Sequence, residues 1–201
     1  MNDTSWWTRV ADHVLELVIG LALLLVGLFR VLLPVLGVAG PLSPAASREV
    51  RVDSAQLPDV AASGAVTLRG SGHAELAFAD PGLGQRLLLA LPGLVSGLLA
   101  IAILAVLLRM ARTFREGDFF VPRNTRRLTV IAAALMLTGV LPPLLDMMTT
   151  NLLARDLPMA QAIAPAEDYA VLPMFLAVLA GAAAGAFRAG TRLRADTEGL
   201  V

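Results

Sequence analysis

The sequence predicts an all-α membrane fold: a four-transmembrane-helix bundle with a small extracytoplasmic β-hairpin loop between helices 1 and 2. Three observations predict it. The 201 residues are 57% hydrophobic, with a mean hydropathy of +0.73, more apolar than a soluble domain of this length needs. The apolar residues gather into four runs of about twenty residues, the length that crosses a hydrocarbon core of about 30 Å. Charge is concentrated between the runs, and Arg30 is the one ionisable residue well inside a span. The chain reads as a single membrane domain with helices at about 14–40, 87–110, 126–150 and 168–190. An extracytoplasmic loop occupies 41–85 and a cytoplasmic loop 111–125.

Composition excludes several function classes. Lys+Arg and Asp+Glu both number 16, so no whole-protein field points to direct nucleic-acid contact. Cysteine is absent, which removes disulfides and thiolate metal sites. His13 and His73 are far apart in sequence, and no HExxH, GxSxG, Walker or GxGxxG pattern occurs. The expectation is a non-enzyme without catalytic residues, cofactor or metal.

Taken in order, Trp6 and Trp7 precede the first run, as interfacial aromatic anchors do. That run, Leu17–Phe29, is broken by Arg30, resumes at Val31 and meets Pro34 near its far end. A signal peptide would have a shorter apolar stretch and a basic flank, so an uncleaved helix is expected. In the following loop Val66 alternates with Thr67, Leu68 with Arg69, and Leu76 and Phe78 follow in phase across Gly70-Ser71-Gly72-His73. This predicts a β-hairpin with His73 as an exposed turn residue. A lone hairpin is marginal in water, so it should lie on the helix ends or pair with a third strand near Glu49–Val52.

The second run, Leu87–Leu108, is uncharged and carries Gly93-x-x-x-Gly97; small residues at that spacing allow close helix approach. Arg109, Arg112 and Arg115 then share one side of a helical continuation, where cations suit a helix C-terminus and long side chains snorkel to headgroups. Gly117 is expected to end it, and Asn124 or Thr125 to cap the next helix. The third run carries Pro142-Pro143 and Asp146, and the fourth presents Gly181-x-x-x-Gly185 among alanines.

Orientation follows from the arginines. With both termini cytoplasmic, Arg9, the 109–127 segment and Arg188, Arg192 and Arg194 all lie inside, the arrangement that the positive-inside rule favours. Arg30 and Asp146 then reach similar depth, roughly 24 Å and 27 Å along their helices by rise per residue. Two readings are open: an intrabundle Arg30–Asp146 ion pair, or Arg30 snorkelling outward with Asp146 wetted at the surface.

Residues 117–128, GDFFVPRNTRRL, and 187–201, FRAGTRLRADTEGLV, resemble the two signatures of the uncharacterised membrane family called domain-of-unknown-function 2975. Gly117, Phe120, Asn124, Arg127 and Leu128 fit the loop pattern, with Phe119 where proline is usual. Phe187, Arg188, Gly190, Leu193, Arg194, Glu198, Leu200 and Val201 fit the tail pattern. The resemblance implies a four-span bacterial cell-membrane protein encoded beside a small helix-turn-helix regulator.

Two functions compete. In the first, the 109–127 loop and the C-terminal tail dock a cytosolic transcriptional regulator. Gly117, Phe119, Phe120, Asn124, Arg126, Arg127, Arg188 and Arg194 are the partner-binding candidates, with Arg123 on the charged rim. Topology and anionic lipid headgroups account for these arginines equally simply. In the second, the chain is a small transporter or channel subunit, a homo-oligomer formed through Gly93/Gly97 or Gly181/Gly185, with Arg30 and Asp146 in a polar path. A weaker third reading has the outer loop sensing envelope stress.

Overall fold

A computed structural model describes residues 4–40, 47–52, 62–63, 66–67, 73–78, 80–115, 121–155, 163–164 and 170–198. It is mostly helical. The elements are α1 (Thr4–Val26), a π-helical turn (Gly27–Leu32), α2 (Leu33–Ala39), β1 (Ser47–Val52), β2 (Ala62–Ser63), β3 (Val66–Thr67), β4 (His73–Ala77), α3 (Leu83–Arg115), α4 (Pro122–Ala154), β5 (Ile163–Ala164) and α5 (Val171–Glu198). Among the described residues, four segments are long and apolar enough to cross a membrane: Val14–Ala39, Leu83–Arg115, Pro122–Ala154 and Val171–Leu193.

The π-helical turn has a local cause. Pro34 has no N–H to give to the carbonyl four residues earlier, which is that of Arg30, and its ring crowds that oxygen. Widening the turn to i→i+5 bonding accommodates the missing donor. Helix α3 is entered through Gly82, whose N–H is accepted by Gln85 Oε1 at 3.0 Å, half of a capping box. Helix α4 starts earlier than expected. Pro122 takes the first helical position, where its missing N–H costs nothing and its φ is preset. Asn124 and Thr125 therefore lie inside the first turn rather than capping it.

The residues divide into two compact groups, Met1–Val31, Ser96–Val140 and Ala170–Val201 in the first, Leu32–Val95 and Leu141–Tyr169 in the second. In the first, a Cβ on Gly97 would lie 2.9 Å from the carbonyl oxygen of Arg30 and 3.1 Å from Val31 Cγ2. Only glycine allows that approach. Gly93 has nothing within 4 Å, so Gly97 alone makes the close contact. Gly139 meets α5 in the same way, with Met174 Cγ 2.6 Å from its virtual Cβ.

The second group contains a three-stranded antiparallel sheet in the order β4-β1-β5. Ser47 is opposite Ala77, Val50 opposite Ala74 and Arg51 opposite His73; Val52 is opposite Ile163. This corrects the expected hairpin. The strand containing Leu76 pairs with β1, not with Val66–Thr67, and β3 pairs instead with β2 as a separate two-stranded ribbon. His73 opens β4 rather than occupying a turn. The physical reason is burial: the β1–β4 pairing places Val50 and Leu76 together against Leu153, with Phe78, Leu88, Leu89 and Ile163 around them. A nearest-neighbour hairpin is favoured by short loop closure, but that entropy grows slowly and is outweighed by an apolar face with a helix to cover it.

Candidate functional site

Two arginines organise the polar contacts, one in each compact group. In the second group it is Arg48, which the alternation of β1 places on the same face as Val50. Its side chain is only 9% exposed. Nη1 donates to Thr149 Oγ1 at 2.7 Å and Thr150 Oγ1 at 3.0 Å. Nη2 donates to the carbonyls of Leu88 and Leu89, each at 2.9 Å. Pro92 lies inside α3 and leaves the Leu88 carbonyl without its helical donor; the guanidinium supplies one. Asp146 Oδ1 lies 3.5 Å from Nη1. Burial pushes the Arg48 guanidinium below its ordinary value while Asp146 opposes the shift, and the group stays protonated because guanidinium titrates so far above neutrality.

The carboxylate that the sequence sets opposite Arg30 is thus engaged by Arg48. Arg30 itself has an exposed side chain at the π-helical turn. Nothing in composition separates Arg48 from the other charges of the 41–85 loop. Its signal is positional: two residues before Val50, in phase with the buried face.

In the first group the second arginine, Arg127, sits at the start of α4. Its Nη1 donates to the Arg109 carbonyl at 3.0 Å, to Asn124 Oδ1 at 3.0 Å and to Thr113 Oγ1. Thr113 in turn donates to the Arg109 carbonyl at 2.9 Å. Asn124 is fully buried. These residues fasten the last turns of α3 to the first turns of α4. Nearby, Arg115 Nη1 lies 3.4 Å from Glu16 Oε1 of α1, and the rings of Phe114 and Phe187 stack with centroids 6.2 Å apart.

Beside this clasp is a recess of about 600 Å³, lined by Arg109, Arg112, Thr113, Val121, Pro122, Arg123 and Arg127. Four of the seven are arginines and none is acidic. Arg109 and Arg112 lie three residues apart on α3, and Arg123 and Arg127 four apart on α4, so each pair shares a helix face. Among the described residues no carboxylate pairs with any of the four, whereas Arg115 is paired.

Of the sequence-derived candidates, Asn124 and Arg127 come together in the clasp, and Arg127 lines the recess. Arg126 and Arg188 are exposed on α4 and α5. Gly117, Phe119 and Phe120 lie outside the described residues, as does the Arg194 side chain. Among the described residues there is no group of His, Asp or Glu placed to hold a metal.

Four helices of this length and hydropathy, with an arginine-lined recess at the ends of two of them, are compatible with a multi-pass membrane protein. Comparisons with protein-family models, curated proteins and solved structures give no match. They lend no support to the expected resemblance to the domain-of-unknown-function 2975 family.

Proposed function

We propose that the chain is an integral membrane protein of a bacterial cytoplasmic membrane, a four-helix bundle with both termini cytoplasmic, whose role is interaction rather than catalysis. Its 109–127 end and C-terminal tail present a basic face to the cytosol, and the partner is a small regulator with an acidic surface. The observation that carries this reading is the recess of four arginines beside a clasp that fixes Arg127. Arginines held at helix ends next to a cavity form a recognition surface more readily than a row of freely solvated snorkelling side chains. Asp3, Asp12 and Glu16 precede the first apolar run and argue against this orientation in a simple charge count, but Glu16 lies 3.4 Å from Arg115, which offsets its charge. A transporter reading needs Asp146 in a path with Arg30, and Asp146 is engaged by Arg48.

Co-purification from native membranes tests the docking. Phe119→Ala with Phe120→Ala should remove the partner while leaving the recess arginines in place; identical captures from both proteins would refute it. Orientation is tested by single-cysteine labelling, which the cysteine-free chain makes clean. Arg192→Cys should label only from the cytoplasmic side and Glu49→Cys only from the opposite side.

A further inference from the structure

We infer that the recess between the end of α3 and the start of α4 binds a phosphate-bearing anion. The cavity, at about 600 Å³, falls within the range of small-ligand sites. Its polar lining is cationic: Arg109, Arg112, Arg123 and Arg127, joined by the hydroxyl of Thr113 and walled by Val121 and Pro122. Guanidinium groups match phosphate oxygens with paired N–H donors, which a lone ammonium does not. Arg127 is also pre-oriented. Its Nη1 is fixed by Asn124, Thr113 and the Arg109 carbonyl, so ligand binding does not have to supply the free energy of orienting it.

Electrostatics point the same way. Arg123 lies in the first turn of α4, the positive end of the helix dipole, where a cation is disfavoured. Together with the neighbouring arginines it makes a cluster of like charge, and no carboxylate compensates it among the described residues. A bound anion relieves both terms at once. Glu116 and Asp118, the nearest acidic residues in sequence, lie outside the described residues. Anion binding here requires no protein partner, and a failed capture of the regulator leaves it standing.

The shared chemistry is a phosphate group, which either a soluble ion or an anionic phospholipid headgroup supplies. The experiment separates the two sources. The full chain in phosphatidylcholine nanodiscs is titrated calorimetrically with inorganic phosphate and with pyrophosphate. In parallel, the chain in nanodiscs of equimolar phosphatidylcholine and phosphatidylglycerol is released in a mass spectrometer, and the retained lipid is identified. Saturable binding in the first arm, or selective retention of phosphatidylglycerol in the second, supports the inference and names the source. Arg112→Gln with Arg123→Gln should weaken that binding at least about tenfold, since each removes a charged hydrogen-bond donor. Arg192→Gln, outside the recess, should leave it unchanged. Far-UV circular dichroism of the double variant checks that it folds, and Arg112→Lys with Arg123→Lys, which keeps the charge, should recover part of the binding. Absence of binding in both arms overturns the inference. So does undiminished binding in the folded double variant.

Discussion

Replacing Arg48 by Met keeps most of the aliphatic stem and strips the guanidinium from a nearly buried site. Of its four acceptors, Thr149 retains a second bond, from its hydroxyl to the Leu145 carbonyl at 2.7 Å. The Leu88 carbonyl has no such reserve, because Pro92 cannot donate to it. Leaving a buried carbonyl unpaired costs about 1–3 kcal/mol, and loss of bonds from a charged donor adds about 1.5–3 kcal/mol. Relief from desolvating the guanidinium offsets part of this. The expected loss is about 3 kcal/mol, at the lower edge of the range for removing one partner of a buried pair. Asp146→Asn should cost about 1 kcal/mol or less, because its carboxylate is 34% exposed and water can replace the arginine. Pro92→Ala restores the missing N–H, so Arg48→Met in that background should cost about 1 kcal/mol less than in the parent. Equilibrium unfolding of these proteins in mixed micelles, followed by far-UV circular dichroism, measures all three quantities. An Arg48→Met cost under about 1 kcal/mol, an equal cost for Asp146→Asn, or no effect of the Pro92 background would each refute this account of the site.

Gly97→Ala should destabilise by about 1–3 kcal/mol, since its Cβ would meet the Arg30 carbonyl at 2.9 Å; Gly93→Ala, with open space around it, should be neutral or stabilising by up to about 1 kcal/mol. The same unfolding assay ranks the two. Gly181→Ala with Gly185→Ala, where an added Cβ meets nothing within 4 Å in the single chain, should not destabilise the monomer; if the chain oligomerises through this face, analytical ultracentrifugation in detergent will show the variant shifted towards monomer. Arg127→Lys keeps the charge but moves the donor nitrogen off the position of Nη1, which serves all three acceptors, and should cost about 1–2 kcal/mol. Hydrogen exchange should report that loss first in residues 109–115 and 121–127.

The four long apolar helices are legible in the sequence because length and hydropathy are local properties: a stretch such as Leu87–Leu108 needs no partner to be recognised. Strand pairing is less so. Glu49–Val52 stands out only as an optional third strand beside a hairpin, yet it is the central strand, because choosing between pairings depends on which one buries Val50 and Leu76 on Leu153. At the candidate site the arginines are visible by spacing. The recess itself is not, since it requires knowing that α4 starts at Pro122 and brings Arg127 onto Thr113 of α3.

Arg48 is the hardest to read, and the reason is physical. Hydropathy treats an arginine as a group that wants water, and nothing in β1 offers it five donors' worth of acceptors. The acceptors come from distant helices, and one of them exists only because a proline removed its usual donor. The chain meets that problem in different ways at Pro34 and at Pro92. At Pro34 the carbonyl in question is that of Arg30; the helix widens into a π-helical turn, and Gly97 packs closely beside that carbonyl. At Pro92 the helix continues through the proline, and Arg48 donates to the Leu88 carbonyl from outside. A proline inside an apolar run therefore marks more than a kink: the residue four positions before it carries a carbonyl without its helical donor, met by a widened turn at Arg30 and by a guanidinium from outside at Leu88.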